Sequence, residues 1–312
     1  MTSTVPIHGN YRGYYTKRPA ALSEPRLSRL PAGLFRNATV LDVGCNEGWI
    51  TCEIAQSWGA SKVVGVDIDE TLIQGAWRRR RTLWSLQEPG AAAAGPAESP
   101  TGATAVESKD QGKRKRDDHG GGRSRAAVGT TTPESSDGLV QAASILAAGP
   151  RRNYFPLSCE HEFGSLPVPP HELHGADGRG RTVFPHNVVF RTADWTEGEI
   201  VEDSDGYDVV LAFSISKWIH LNSGDAGLRR FFEKIYRVLR KGGTFVLEPQ
   251  PWESYAKARR MSEKLKETCK TLELRPDEFE RVLREIGFGP AQHMGSTGEG
   301  GFDRPIDVYV KR

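Results

Sequence analysis

The sequence predicts an α/β fold, a doubly wound and mostly parallel sheet with helices on both faces. Three observations predict it. Short apolar runs alternate with amphipathic helical stretches, the first run ends in a glycine-containing turn, and an acid closes the second run. In such sheets ligands bind outside the carboxyl ends of the strands, so chemistry-bearing residues are expected to gather there.

Each element has its own signal. Thr39–Val43 (TVLDV) reads as a buried strand, followed by a helix over Trp49–Trp58 and a second strand over Lys62–Asp67. Asp69 is placed to N-cap the next helix, which runs toward Arg81. Asn187–Arg191 reads as a third strand and Tyr207–Phe213 as a fourth. Leu228, Phe231, Phe232, Ile235, Val238 and Leu239 then share one helical face. Arg240-Lys241-Gly242-Gly243 is expected to end that helix, with cations near its C-terminus and a capping glycine. Thr244–Glu248 is a fifth strand, and 253–270 reads as one basic helix with six cations against three acids. Phe279, Val282, Leu283 and Ile286 form a helical stripe stopped by Gly287, and Ile306–Val310 closes the chain as a strand.

Composition sets the outer bounds. Of 312 residues, 37% are hydrophobic, and the shortfall is local. From Gln87 to Asp137 the only Leu, Ile, Val or Phe residues are Val106 and Val128. Such a stretch buries too little apolar surface to offset backbone ordering, so 87–137 is expected to be a disordered insertion. Residues 138–182 are expected to be a partly ordered flank. A net charge of +2 excludes a uniformly basic binder. No run reaches the ~18 apolar residues of a membrane span, and the first residues lack the apolar core of a secretory signal. Cys45, Cys52, Cys159 and Cys269 show no CxxC pairing, which speaks against a zinc site or a disulfide framework. The expectation is a soluble, intracellular protein with no metal and no membrane partner.

The loop after the first strand holds Gly44, Asn46 and Gly48 in a GxNxG pattern, not the GxGxxG of a dinucleotide site. Asp67 ends the second strand, where a carboxylate can accept both hydroxyls of a ribose. Asp42 stands near the end of the first strand and could orient the loop or face a cationic ligand. A structural corner with a solvated acid remains the plainer alternative.

Together these features resemble a class I S-adenosylmethionine-dependent methyltransferase, a Rossmann-like fold. Asp194-Trp195 after the third strand and Gly242-Gly243 before the fifth agree with that likeness. Four longer patterns narrow it: GNYxxYYxxRP (9–19), LDxGCNxG (41–48), SxxKWxHLNxGDxGL (214–228) and LEPQPWxSY (247–255). In combination they resemble the Bin3-type (bicoid-interacting-protein-3) RNA methyltransferases over residues 8–83 and about 184–311.

The resemblance implies S-adenosylmethionine as cofactor and a small non-coding RNA with a phosphorylated 5′ end as substrate. It also implies ribonucleoprotein partner proteins, a monomer and a nuclear location. The run Lys113-Arg114-Lys115-Arg116 reads as a localisation signal or a nucleic-acid patch. Residues 1–36 would close over cofactor and RNA, and 37–312 would form the methyltransferase domain around its insertion. For the cofactor the resemblance points to Tyr11, Arg18, Asp42, Gly44, Asn46 and Gly48, then to Asp67, Ile68, Asp194, Trp195 and Phe213. For the RNA and its phosphate it points to Tyr14, Tyr15, Lys17, Gln250, Trp252 and Arg304. Lys217 and His220 are the implied catalytic pair.

Two branches of the family differ in substrate, one methylating the γ-phosphate of a 5′-triphosphate and the other a 5′-monophosphate. LELRPDEFERVL and GGFDRPIDVYVKR resemble the triphosphate branch. The 5′-monophosphate enzyme stays open as an alternative, as does a non-catalytic RNA chaperone that retains the cofactor pocket. A phosphate oxygen is already anionic at neutral pH, so the reaction needs placement more than a base. Orientation alone can supply up to roughly 7–11 kcal/mol. Several residues keep plainer readings: Trp218 and Trp252 as core, His220 as structural, and Arg78–Arg81 as a solvated helix face.

Overall fold

The computed structural model describes residues 6–11, 13–15, 23–87, 157–168, 179–298 and 302–312. All of them belong to one compact unit, Met1–Ala92 with Asn153–Arg312. Most of the insertion, the 113–116 basic run, and Arg12, Lys17 and Arg18 lie outside the described residues.

The strands are β1 (Thr39–Val43), β2 (Lys62–Asp67), β3 (Val188–Thr192), β4 (Tyr207–Phe213), β5 (Leu239–Glu248), β6 (Gln292–Thr297) and β7 (Arg304–Val310). They form one sheet in the order β3-β2-β1-β4-β5-β7-β6. The first five run parallel, while β7 pairs antiparallel with both β5 and β6. That order is the class I methyltransferase topology, and it reverses direction between β1 and β4.

Why the strands read as unbroken apolar runs is plain from their two faces. Side chains alternate across a strand, and a parallel sheet is covered on both sides. Val40, Val63, Val209 and Leu211 enter one core cluster, and Leu41, Val64, Val210 and Ala212 enter the other. The helices that cover these faces include α1 (Trp49–Ser57), α2 (Glu70–Ser85), α4 (Ser216–Val238) and α7 (Phe279–Ile286); α3 (Leu157–Phe163) is a short helix in the flank. Asp69 caps α2 by accepting from the amides of Thr71 and Leu72, as expected. The α2 helix runs four residues past Arg81.

Two expectations need correction, and one strand was not expected. Arg240-Lys241-Gly242-Gly243 does not cap a helix: α4 ends at Val238, and Leu239 already pairs with Tyr207 in the sheet. The four residues form an irregular start to β5, with Gly242 in the left-handed region at φ 75° and its amide bonded to Lys311 O. The basic helix over 253–270 is two helices, α5 (Tyr255–Ala258) and α6 (Glu263–Thr271). Extended Ser262 separates them and caps α6 through Leu265 N. Finally, β6 carried no strand signal, because QHMGST is an exposed edge strand without apolar alternation.

A third cluster sits over the start of α4: Trp218, Leu221, Tyr255, Ala258, Leu265, Cys269 and Leu272, joined by Ile7, Tyr11 and Trp252. Here three sequence patterns that lie far apart along the chain pack into one body.

Candidate cofactor and RNA-end site

Where the strand order reverses, the loops at the carboxyl ends part and leave a cavity of about 780 Å³ including its open mouth. Gly44 and Asn46 line it after β1, Asp67 and Ile68 after β2, and Asp194 and Trp195 after β3. Ser214 and Ile215 after β4 and Trp218 and Asn222 of α4 complete the far wall, while His8, Gly9 and Asn10 line it from the amino-terminal segment.

Asp67 is the anchor of this cavity. Its Oδ2 accepts the Asn46 amide at 2.9 Å and its Oδ1 the Asp69 amide at 3.0 Å. Burial pushes its carboxyl up to about 6 against the pull of those two bonds. An ionised carboxylate offers about four acceptor positions, so two amides leave capacity for a vicinal diol. Asn46 adopts φ 53° to turn its amide toward Asp67. Asp194 holds the following turn through Thr196 N at 3.1 Å and Thr196 Oγ1 at 2.6 Å.

Acceptors dominate this wall. The side-chain oxygens of Asn10, Asn46 and Asn222 are buried and have no hydrogen-bond partner. Their orientation is set by their amide groups, which donate to Asp69 Oδ2, to Tyr11 O, and to Ile7 O and Trp218 O respectively. With Asp67 and Asp194, the cavity therefore asks for a ligand rich in donors or positive charge.

Beyond the cavity lining, at Ser214, cations gather. Ser214, at φ 61°, donates from Oγ to Glu248 Oε2 and receives Arg304 Nη1 at 2.5 Å and the Tyr14 hydroxyl at 3.3 Å. Glu248 in turn holds the buried Arg26 at 3.0 Å. Lys217 is 8% exposed and donates to Ser254 Oγ at 3.2 Å. Burial, then the charges of Arg304 and Lys257, lower its ammonium to about 8. Arg304 and Lys257 thus both repel Lys217, an arrangement that an anion would relieve.

Of the residues expected to hold a cofactor, Gly44, Asn46, Asp67, Ile68, Asp194 and Trp195 meet on the cavity. Trp195 does so with its indole turned to structural use, donating to Asp203 Oδ2 at 3.0 Å and lying under Lys234. Of the others, Arg18 lies outside the described residues, and four stand off the cavity lining. Asp42 is buried in β1, accepts Thr51 Oγ1 at 2.6 Å and is raised to about 6 by burial, so it braces the start of α1. Gly48 starts α1 at φ 71°, where a Cβ would lie 2.8 Å from Phe190 and 2.9 Å from Ala76. Phe213 packs in the core under Arg26. Tyr11 reaches the site only through its carbonyl, its ring meeting Trp218 edge-on at 5.8 Å.

On the RNA side, Tyr14, Arg304 and Lys217 converge around Ser214 and Ser254. His220 does not fit a direct catalytic contact: it is fully buried, with Nδ1 at 3.1 Å from the Tyr255 hydroxyl and Nε2 at 2.6 Å from Asp225. Burial lowers its pKa, opposed by Asp225. Gln250 is 2% exposed and uses both ends of its amide on the Ser214–Lys217 turn. Trp252 packs on Tyr255, with Arg275 3.9 Å over its ring. Tyr15 stacks on Trp49, which Arg79 approaches at 3.1 Å. The Arg78–Arg81 face is thus not simply solvated, since Arg80 and Arg81 also bond Pro185 O and Ser165 O. Sequence reasoning assigned no role to Ser214, Asn10 or Asn222, and read Lys257 only as one cation of a basic helix face that could hold RNA backbone or be simply solvated. The first three stand inside the quoted patterns, but only the fold brings Lys257 to Lys217.

Comparison with known proteins follows the same outline. Residues 207–311 match the family described as Bicoid-interacting protein 3 (Bin3), and residues 40–89 match one described as a methyltransferase domain. An Arabidopsis thaliana protein named "Probable RNA methyltransferase" is 30% identical over 309 residues, covering 97% of this chain and 80% of its own length. The chain belongs to the Bin3 family. A human relative within this similarity, named 7SK snRNA methylphosphate capping enzyme, is 35% identical over 311 residues; the match covers 97% of this chain but 39% of that protein. A rat RNA 5′-monophosphate methyltransferase is 33% identical over 82 residues, 25% of this chain and 28% of its own length. The Bin3 match begins at β4 and so contains Ser214, Lys217, Lys257 and Arg304, while Asp67 lies in the methyltransferase-domain match.

Proposed function

We propose that this Bin3-family chain is an S-adenosylmethionine-dependent RNA methyltransferase that methylates the γ-phosphate at the 5′ end of a small non-coding RNA. One observation carries the reading: an acceptor-lined cavity and a cluster of cations adjoin at Ser214, so a cationic and an anionic ligand would meet there. S-adenosylmethionine suits the first side, since its ammonium, exocyclic amine and ribose hydroxyls are donors and its sulfonium is positive. When bound, it supplies an electrophilic methyl group.

Asp67 would hold the ribose, Asp194 the adenine side, and the asparagine oxygens the remaining donors. Lys217, Lys257 and Arg304 would hold the phosphate, with Ser214 and Tyr14 fixing the guanidinium of Arg304. None of these groups need remove a proton, because the attacking oxygen is already ionised. Their work is to orient that oxygen and keep water from it.

The triphosphate end is favoured by the extent of similarity to the human capping enzyme, set against 82 residues shared with the rat monophosphate enzyme. The same reading carries a nuclear location, ribonucleoprotein partners, a monomeric enzyme, and an amino-terminal segment that closes over the site. The test is transfer of labelled methyl to matched RNAs bearing 5′-triphosphate, monophosphate or hydroxyl. Label on the triphosphate alone is expected. Label confined to the monophosphate would move the enzyme to the other branch. No label on any RNA, with binding intact, would leave a non-catalytic chaperone.

A further inference from the structure

Residues Pro6–Tyr11 form a strap along the cavity, with internal bonds from Gly9 N to Pro6 O at 3.0 Å and Tyr11 N to Gly9 O at 2.8 Å. Three asparagines bind it to the rest of the molecule, and all three line the cavity. Asn222 donates to Ile7 O at 2.9 Å, Asn46 donates to Tyr11 O at 3.1 Å, and Asn10 of the strap donates to Asp69 Oδ2 at 2.8 Å. Each leaves its other amide atom, the oxygen, buried and unpartnered. Gly9 lets the strap lie against α4, since a Cβ there would stand 2.2 Å from Trp218 Nε1.

We propose that Asn222 and Asn10 are positioning residues that couple cofactor binding to closure of this strap. The inference rests on the reading of the cavity as the cofactor site. Each amide has two ends, one gripping the strap and one turned to acceptor duty. A donor arriving at the oxygen polarises the amide and strengthens its N–H bonds to the strap. The strap in turn supplies His8, Gly9 and Asn10 to the cavity, so an open strap leaves the site incomplete. Such coupling is reciprocal: whatever the cofactor adds to strap closure, closure adds to cofactor affinity. Three residues beyond the strap, Tyr14 bonds Ser214 beside Arg304, so closure also orders the phosphate side. Cofactor would bind before RNA.

Hydrogen exchange on the full chain, with and without S-adenosylhomocysteine, tests this directly, alongside calorimetry. In the wild type the ligand is expected to slow exchange across 6–11 and across the 43–48 loop. Asn222→Ala is expected to abolish the strap response while sparing the loop response, and to weaken S-adenosylhomocysteine about 3- to 10-fold, the value of one net hydrogen bond. Asn10→Ala, outside all three core clusters, should shift both readings the same way and decides the matter if the first variant misfolds. Strap exchange indifferent to ligand in the wild type would overturn the coupling. So would wild-type affinity and strap protection in both variants. A wild type that binds no S-adenosylhomocysteine would instead remove the cofactor reading, and the coupling with it.

Discussion

The two walls of the site are opposites. The acceptor side of the cavity has Asp67, Asp194 and Asn46 at the ends of parallel strands, joined by Asn10 of the amino-terminal strap and Asn222 of α4. The cation cluster beside it gathers Lys217, Lys257 and Arg304 from α4, α5 and β7, with Lys217 held by the Ser254 hydroxyl and Arg304 by the Ser214 hydroxyl, which donates to the buried Glu248. The difference teaches that charge placement outweighs total charge. A chain with a formal charge of +2 can still gather cations beside an acceptor-lined cavity.

The largest expected effect comes from the acidic wall. Asp67→Ala should weaken S-adenosylhomocysteine by about 100-fold or more, since hydrogen bonds to charged groups are worth about 1.5–3 kcal/mol each; RNA binding should persist. Calorimetry that finds unchanged cofactor affinity would break the comparison. With the wild-type carboxyl raised to about 6, cofactor affinity should fall as pH drops through that value. Stability should move the other way. Asp67 and Asp42 bind protons more tightly folded than unfolded, so they add stability below about pH 4 and lose it as pH rises through about 6.

Next in size is the frame between the walls. His220→Ala should lower the melting temperature, at roughly 2–4 °C per kcal/mol for a domain of this size, by opening the buried Tyr255–His220–Asp225 link. Ligand affinities measured well below the transition should stay close to wild type. A selective loss of RNA turnover would instead return His220 to the catalytic side.

On the basic wall, Lys217→Ala should weaken 5′-triphosphate RNA about tenfold and reduce the salt slope by about 0.7, the loss of one phosphate contact to a single strand. S-adenosylhomocysteine should bind as before. Because the Lys217 ammonium sits at about 8, wild-type affinity for the RNA end should decline as pH rises through that value, and Lys217→Arg should flatten the decline. Its effect on stability has the opposite sign. A lysine lowered in the folded state sheds its proton first, so stability rises between about pH 8 and the ordinary lysine value of 10.5.

Smallest of all should be the double variant Lys266→Ala, Lys270→Ala. Both lysines pair with acids on their own helix, at 2.9 Å to Glu263 and 2.6 Å to Glu267. Exposed pairs of this kind contribute little. RNA affinity measured by fluorescence anisotropy should change less than twofold, which would exclude Lys266 and Lys270 from the cation cluster.

Much of the cavity lining was legible because its residues follow single strands. Gly44, Asn46, Asp67 and Asp194 stand within a few residues of β1, β2 and β3, and apolar runs mark where those strands end. Asp42 and Gly48 belong to the same local signal yet serve packing, since a strand-end acid reads alike whether it faces ligand or helix. The cation cluster was less legible. Gln250, Trp252 and His220 come from patterns as specific as those of Lys217 and Arg304, but side-chain direction decides which of them gather beside Ser214 and Ser254. Direction depends on partners brought in by the fold: Ser216 for Gln250, Tyr255 for His220, Ser254 for Lys217 and Ser214 for Arg304.

By itself the sequence determined the strand order's raw material, the family, and the loops where chemistry gathers, because those rest on local periodicity and short-range spacing. Only the tertiary structure decided which polar residues are contacts and which are frame. It bent α4 at Gly224, divided the basic stretch at Ser262, and closed the 6–11 strap over α4. The physical reason is that burial and hydrogen-bond completion are properties of the assembled interior. A histidine with both nitrogens satisfied and an asparagine with one oxygen left over look the same as letters.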